Sequence, residues 1–270
     1  MLIVERQQRL LDILQRQRTA QLEDLVRQLG VSASTIRRDL EALETAGSVE
    51  RTHGGAIYTG TPDLQPASIA LAARMTEHVA QKQAIGRYAA SLVKPNMTVL
   101  LDGGSTVILA AKHITARPIQ IVTTSLSIAQ LFRDDDQAET ILVGGSIYPR
   151  TEVTVGPIAL NTLSQLHADL LLFSLAGICD EENDTPGASS GGGAYNINLD
   201  MARVEQTMMA QATRSVLLMD AGKFGRKSLV RTCSITDVQQ VVTDNRIEPC
   251  WVERLGSRLV VVGPDGQRVS

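Results

Sequence analysis

The sequence predicts two domains of different class: an N-terminal helical unit closed by a β-hairpin, and a C-terminal α/β domain on a mostly parallel sheet. Three observations predict it. From residue 5 to about 45 the apolar side chains recur at helical spacing, and the pattern ends in a Gly-Gly turn between two β-prone runs. TGTPDLQPAS, 59 to 68, has two prolines and no apolar periodicity. Beyond it, apolar strand-like runs alternate with helical segments, which implies a parallel sheet covered on both faces. At 270 residues the chain exceeds the usual size of one domain; the expected division is 1–58, a linker at 59–68, and 69–270.

In the first unit, residues 5 to 17 place Leu10, Ile13 and Leu14 on one helical stripe, and residues 21 to 29 do so with Leu22, Leu25, Val26 and Leu29. Thr19 stands as a candidate cap for the second helix, and Gly30-Val31-Ser32 makes a tight turn with Ser32 as N-cap of the third. In that helix Ile36, Leu40 and Leu43 fall at i, i+4 and i+7, an inward stripe, and Gly47 ends it. VERTHGGAIY follows as a hairpin. Three helices and a hairpin outline a winged helix-turn-helix.

With that stripe inward, Ser34, Arg37, Arg38 and Glu41 point outward, and Thr35 sits near the helix start. A helix entering the major groove presents its first turns to base edges, where arginine matches guanine; hydroxyls such as those of Ser32, Ser34 and Thr35 suit phosphates. Arg51 and His53 lie on the wing, within reach of backbone or minor groove. The net charge is -3, and residues 1 to 58 balance eight basic against eight acidic side chains, so a local arrangement of arginines must attract DNA. A solvated surface helix is the plain alternative for one RR pair. The preceding helices, cap, stripe and wing together outweigh it.

In the second unit, helical segments are expected near 69–93, 105–115, 125–132, 156–166 and 199–212. TVLLD, IQIVTT, TILVGG, DLLLFSLAG, SVLLMD, QQVVTD and RLVVVG supply the strands. CDEENDTPGASSGGGAY is acidic and then glycine-rich, a mobile loop by composition. LLDGGSTV places Gly103, Gly104, Ser105 and Thr106 at a strand-to-helix turn, where freed amides and hydroxyls cradle an anion. Asp102 beside them suits sugar hydroxyls. Thr124 and Ser125, and Gly144 and Gly145, stand at two further strand ends, lining the same crevice or shaping turns. Lys223 follows a strand end and Asp220, the position at which such sheets bind ligands.

Several classes are excluded. Aromatic residues are 3% of the chain, too few for stacking platforms on single-stranded nucleic acid. Cys179, Cys233 and Cys250 are isolated, so neither a zinc site nor a disulfide framework is expected. No GxxxxGK[ST] or GxGxxG indicates a nucleotide switch, and no cofactor is expected. MLIVERQQRLLDIL lacks a signal peptide's apolar core and no run reaches membrane-spanning length, so a cytoplasmic protein without membrane contact is expected.

Arg6, Leu10, Leu14, Ser32, Thr35, Ile36, Arg37, Arg38, Asp39 and Leu40 resemble, in type and spacing, the DNA-binding signature of the DeoR family of bacterial regulators. RTHGGA resembles that family's wing. From about 70 to 250, LLDGGSTV, IVTTSL, ILVGGSIY, VGP and LLMDAGKFG follow the order of DeoR-family sensor domains. The resemblance implies a sensor related in fold to ribose-5-phosphate isomerase, a phosphorylated sugar as effector, operator DNA as partner, and repression of a sugar or polyol operon. Paired recognition helices on palindromic half-sites imply a homo-oligomer, dimer or tetramer.

The isomerase comparison tests catalysis residue by residue. Lys82, in KQAIGRYAA, resembles the helix lysine that approaches the enzyme's phosphate, and Asp180 with Glu181 match an acidic pair lining its site. The enzyme's lysine before Gly-Gly-Gly-Ala is Ser190 here, and Leu199 stands at about the place of its glutamate. Leucine cannot shuttle a proton, and serine lacks the charge to stabilise an enediolate. Ligand binding without turnover is therefore expected; an isomerase-like enzyme fused to a DNA-binding head is the alternative. DMARVEQTMM departs from the family's acidic-then-basic stretch with Arg203, Glu205 and Gln206.

Overall fold

The computed structural model describes residues 6, 7, 9–11, 13, 14, 19–45, 49–52, 54–58, 71–180 and 192–269. It forms two compact units, Met1–Leu64 and Gln65–Ser270. The expected linker, residues 181–191 of the segment CDEENDTPGASSGGGAY, Gly47 and His53 lie outside the described residues. No helix among the described residues is long and apolar enough to cross a membrane.

In the N-terminal unit the described residues between 6 and 14 are helical; then come β1 (Thr19–Gln21), α1 (Leu22–Leu29), α2 (Ala33–Thr45), β2 (Val49–Thr52) and β3 (Gly55–Tyr58). Leu10, Leu14, Leu25, Ile36, Leu40 and Val49 form its core, as the helical stripes require. Gly30 ends α1 in the left-handed region at φ 65°, its N–H donating to the Val26 carbonyl at 2.9 Å. Thr19 is not a cap. It pairs with Ile57 as the first residue of β1, and α1 begins after Gln21 with no side-chain cap. The three-residue strand extends the hairpin into a sheet of order β1-β3-β2. The glycines of the hairpin do more than turn the chain, for a Cβ on Gly55 would overlap the Ala20 carbonyl.

The second unit runs α3 (Leu71–Thr76), α4 (Val79–Ser91), β4 (Thr98–Leu101), α5 (Ser105–Ala111), β5 (Ile119–Thr123), α6 (Leu126–Phe132) and β6 (Ala138–Leu142). The hairpin β7 (Ser146–Tyr148) and β8 (Val153–Val155) precedes α7 (Pro157–Leu163) and β9 (Ala168–Phe173). Next come β10 (Gly177–Cys179), β11 (Gly193–Asn196), α8 (Leu199–Ala210), β12 (Ala212–Leu218), β13 (Val230–Ser234), β14 (Gln240–Asp244), α9 (Pro249–Leu255) and β15 (Leu259–Val262). Seven of these strands form one sheet in the order β15-β14-β12-β9-β4-β5-β6, every pairing parallel.

Both faces are covered. Val99 and Leu101 of β4 enter one core with Ile85 and Val107, while Leu100 enters the other with Leu163, Val204 and Trp251. Strands buried on both sides need apolar residues at every position, which is why they read as uninterrupted runs. The segment expected as one helix from 69 to 93 is divided: His78 adopts φ 48° and ψ 39° between α3 and α4. The small antiparallel sheet β10-β11-β13 and the β7-β8 hairpin add to the expected alternation.

Candidate functional site

The chain leaves the middle of the sheet in opposite directions: from β4 through β5 to β6, and from β9 through β12 and β14 to β15. Such a reversal opens a crevice beyond the carboxyl ends of the two central strands, the usual ligand position in open α/β sheets. Asp102 follows β4 and Ser174 follows β9. Asp102 N–H donates to the Leu172 carbonyl at 3.1 Å, and Ser174 N–H donates to Asp102 Oδ2 at 3.3 Å.

The two glycines after Asp102 are required by close approach. A Cβ on Gly103 would overlap Val153 Cγ1 of β8, and one on Gly104 would lie 3.0 Å from Ser174 Cβ. Ser105 and Thr106 then open α5, both buried. Thr106 Oγ1 and Thr124 Oγ1 are buried with no hydrogen-bond partner among the described residues, an arrangement that favours an incoming polar ligand. Ser125 is committed to structure, its Oγ accepting Ile128 N–H at 3.3 Å as the cap of α6. Gly145, at φ 154°, turns the chain into the β7-β8 hairpin, where a Cβ would come 2.7 Å from the Val155 carbonyl; Gly144 beside it is exposed.

Three cations converge on this end of the sheet. Lys82 is 3% exposed and its Nζ donates to the Arg74 carbonyl at 2.6 Å. Lys223 Nζ donates to Ser174 Oγ at 3.1 Å and to the Leu175 carbonyl at 2.8 Å. Asp220 caps the turn that carries Lys223, accepting Gly222 N–H at 3.2 Å. The third cation, Arg74, is absent from the sequence-based set, and its Nε and Nη2 are buried without an acceptor among the described residues. Ser174 is the other residue the sequence did not single out.

Burial dominates the electrostatics. It lowers Lys223 to about 8, with Asp220 opposing and the Arg74 and Lys82 charges adding to the depression. Lys82 and Arg74 are also lowered by burial, partly offset by Asp220 and by Asp102 respectively. Asp102 is raised by burial against the N–H groups of Gly103 and Ser174. Glu205 on α8 is 1% exposed and accepts hydrogen bonds from Asn196 Nδ2 and Thr232 Oγ1; burial and the nearby Asp102 push it well above the usual carboxylate range. A crevice with the buried Lys82 ammonium, the half-buried Lys223, and a guanidinium and hydroxyls unpartnered among the described residues is suited to an anion.

Other expected residues are placed differently. Asp180, after β10, is engaged by Arg254 of α9. Glu181 and Ser190 lie outside the described residues. Leu199 opens α8 with its side chain 51% exposed, behind the Asn198 cap.

On the N-terminal unit, Ser32 Oγ accepts Thr35 N–H at 3.3 Å and its carbonyl accepts Ile36 N–H at 3.1 Å, so α2 has the expected cap. Ser32 Oγ also lies 2.9 Å from Ser34 Oγ and 2.8 Å from Thr35 Oγ1, a cluster of hydroxyls at the helix start. Ser34, Arg37 and Arg38 are exposed on the face opposite Ile36 and Leu40. Asp39, 3% exposed, receives Arg6 Nε at 2.5 Å and Gln7 Nε2 at 3.3 Å, which fastens the first helical residues to α2. Arg51 on β2 is held by Glu44 of α2, its N–H donating to Oε1 at 3.0 Å.

Two family models match the chain: a DeoR-like helix-turn-helix domain over residues 6–61 and a DeoR C terminal sensor domain over 77–245. The HTH-type transcriptional regulator GolR of Listeria innocua is 30% identical over 90% of this chain and 91% of that protein. The L-fucose operon activator of Escherichia coli is 30% identical over 89% of this chain and 95% of that protein. The HTH-type transcriptional repressor GlcR of Bacillus subtilis is 28% identical over 97% of each. Among solved structures, ribose 5-phosphate isomerase A of Methanocaldococcus jannaschii matches with a TM-score of 0.33 and 15% identity over 53% of each chain.

Proposed function

The chain belongs to the DeoR family of sugar-responsive transcriptional regulators, and from that premise we propose that it represses a sugar or polyol catabolic operon under the control of a phosphorylated sugar. The observation that carries the effector class is the Arg74 guanidinium, whose Nε and Nη2 are buried without an acceptor among the described residues, beside Lys82 and Lys223. A desolvated cation without an acceptor costs free energy until an anion arrives, so the crevice favours a phosphoryl group. Lys82, Lys223, Arg74 and Thr106, with the amides of Gly103, Gly104 and Ser105, hold the phosphate in this reading. Asp102 takes a sugar hydroxyl; Thr124, Ser125, Gly144 and Gly145 shape the wall, and Asp180 stands at its border.

Operator DNA is read by Arg37 and Arg38 from the exposed face of α2, with Ser32, Ser34 and Thr35 on phosphates and Arg51 and His53 on the wing. Effector and operator are linked: the sugar phosphate shifts the population between two arrangements, so each ligand weakens the other by the same factor. A homo-oligomer presents paired modules to palindromic half-sites. An isomerase-like activity is the lesser reading, since the relatives above are named as regulators or as an operon activator, and Leu199 has no proton to give.

The test is a thermal-shift screen of phosphorylated pentoses, hexoses and polyols, followed by operator binding with each stabilising compound. A compound that raises Tm and weakens operator binding supports the reading. If every phosphosugar leaves Tm unchanged while an unphosphorylated sugar raises it, the effector class is wrong. A coupled assay on the same panel, run with wild type and Lys223→Ala, separates sensing from turnover.

A further inference from the structure

Helix α3 is attached to the second unit in an unusual way. Of its six residues only Leu71 is buried, and with the half-buried Met75 it makes the helix's apolar contact with the core. Its polar attachments lead to the crevice and to the hairpin beside it. The Arg74 carbonyl receives Lys82 Nζ at 2.6 Å. The Arg74 side chain places Nε and Nη2 in a buried position with no acceptor among the described residues. The Leu71 N–H donates at 2.9 Å to the carbonyl of Arg150, in the turn between β7 and β8. That hairpin carries Val153, which lies against Gly103 and bridges to Ser125. At its far end α3 is separated from α4 by the left-handed backbone of His78, so it is not an extension of that well-buried helix. At its near end it continues directly into residues 59–70, the covalent route to the DNA-binding unit.

We propose that α3 is the lever by which an anion in the crevice acts on the DNA-binding unit, docking firmly when the anion is bound and loosening when it is absent. The physical basis is the orphaned guanidinium. With no anion, the docked helix keeps buried Arg74 N–H groups without acceptors, a penalty that undocking into water removes. A phosphoryl group supplies those acceptors and also draws on Lys82, which already holds the α3 backbone. The bound anion therefore favours the docked state specifically, the differential contact a population shift requires. The break at His78 lets α3 move without unwinding α4. The inference rests on anion binding in the crevice, the reading given above.

Hydrogen exchange on the full chain tests it, in saturating inorganic phosphate against chloride at equal ionic strength. Phosphate is expected to slow exchange at 71–77 by about tenfold or more, together with 103–108 at the glycine turn. Protection at 103–108 alone overturns the lever and leaves anion binding standing. Protection at neither overturns both. Arg74→Met is expected to keep the phosphate response at 103–108, through Lys82 and Lys223, and to show none at 71–77, whose exchange becomes the same in phosphate and chloride. Arg74→Lys, which keeps the charge without the planar fork, is expected to fall between the two. If phosphate slows exchange at 71–77 in both variants as much as in wild type, Arg74 does not connect anion and helix, and the proposal fails.

Discussion

Lys223 and Ser174 meet across the centre of the crevice, the ammonium donating to Ser174 Oγ at 3.1 Å and to the neighbouring Leu175 carbonyl at 2.8 Å. The contact joins the turn after β12 to the end of β9 by a half-buried charged group. It also fixes how the site responds to pH.

Burial and the Arg74 and Lys82 charges hold Lys223 at about 8, so the lysine loses its proton just above neutrality. An anion beside it favours the charged form, so effector binding takes up a proton where free Lys223 is partly neutral. Affinity is therefore expected to fall as pH rises from 7 through 9. Calorimetry in buffers of different ionisation enthalpy measures the uptake; Lys223→Arg, charged throughout, is expected to flatten the profile. A wild-type profile already flat over that range contradicts the assignment.

Gly103 predicts a packing effect. Gly103→Ala places a methyl group where Val153 Cγ1 sits, and overpacking of this kind costs about 1–3 kcal/mol. Adding Val153→Ala makes room, so the double mutant is expected to be less destabilised than the sum of the two single changes. Urea denaturation of the four proteins measures the coupling. Strict additivity places Val153 away from the turn.

On α2, the proposed reading helix, Arg38 is exposed and free of the contacts that bind Arg51 to Glu44. Arg38→Ala is expected to weaken operator binding by about 1–3 kcal/mol and random DNA much less, measured at one salt concentration. Equal losses on both DNAs identify Arg38 as a phosphate contact instead.

Arg6 has the opposite signature. It holds buried Asp39 at 2.5 Å, so Arg6→Ala leaves a buried carboxylate without its cation. Melting of the N-terminal unit is expected to shift to lower temperature, and binding to weaken uniformly across DNA sequences. A change in base preference with unaltered melting assigns Arg6 to the groove.

What the sequence disclosed follows from the range of the interactions involved. Ile36 and Leu40 repeat at helical spacing, and TVLLD or QQVVTD are apolar because two covered faces demand it, so local pattern sufficed. LLDGGSTV announced the crevice because glycines and hydroxyls mark a strand-to-helix turn. Arg74 was hidden. AARMT carries no motif, and the residue reaches the crevice only because the chain breaks at His78 and Lys82 fastens the α3 backbone. Ser174 looked like one more position in DLLLFSLAG until strand order put it beside Asp102. Thr19 resembles a cap locally, but the three residues of β1 find their partners in Ile57, Ala56 and Gly55, far along the chain. Glu205 was visible as a charge, but nothing local disclosed its burial.

The close seat of β1 against Gly55, with Leu22 N–H donating to the Gly54 carbonyl at 2.8 Å, has a consequence for how this head changes over time. Wing, first strand and α1 are one interlocked scaffold, and Asp39 ties α2 to the first helical residues through Arg6 and Gln7. Ser34, Arg37 and Arg38 stand outside that scaffold. In the proposed mode of operator reading, mutations at those three positions can change the recognised sequence without any repair to the frame, so a duplicated gene has a short path to a new target promoter.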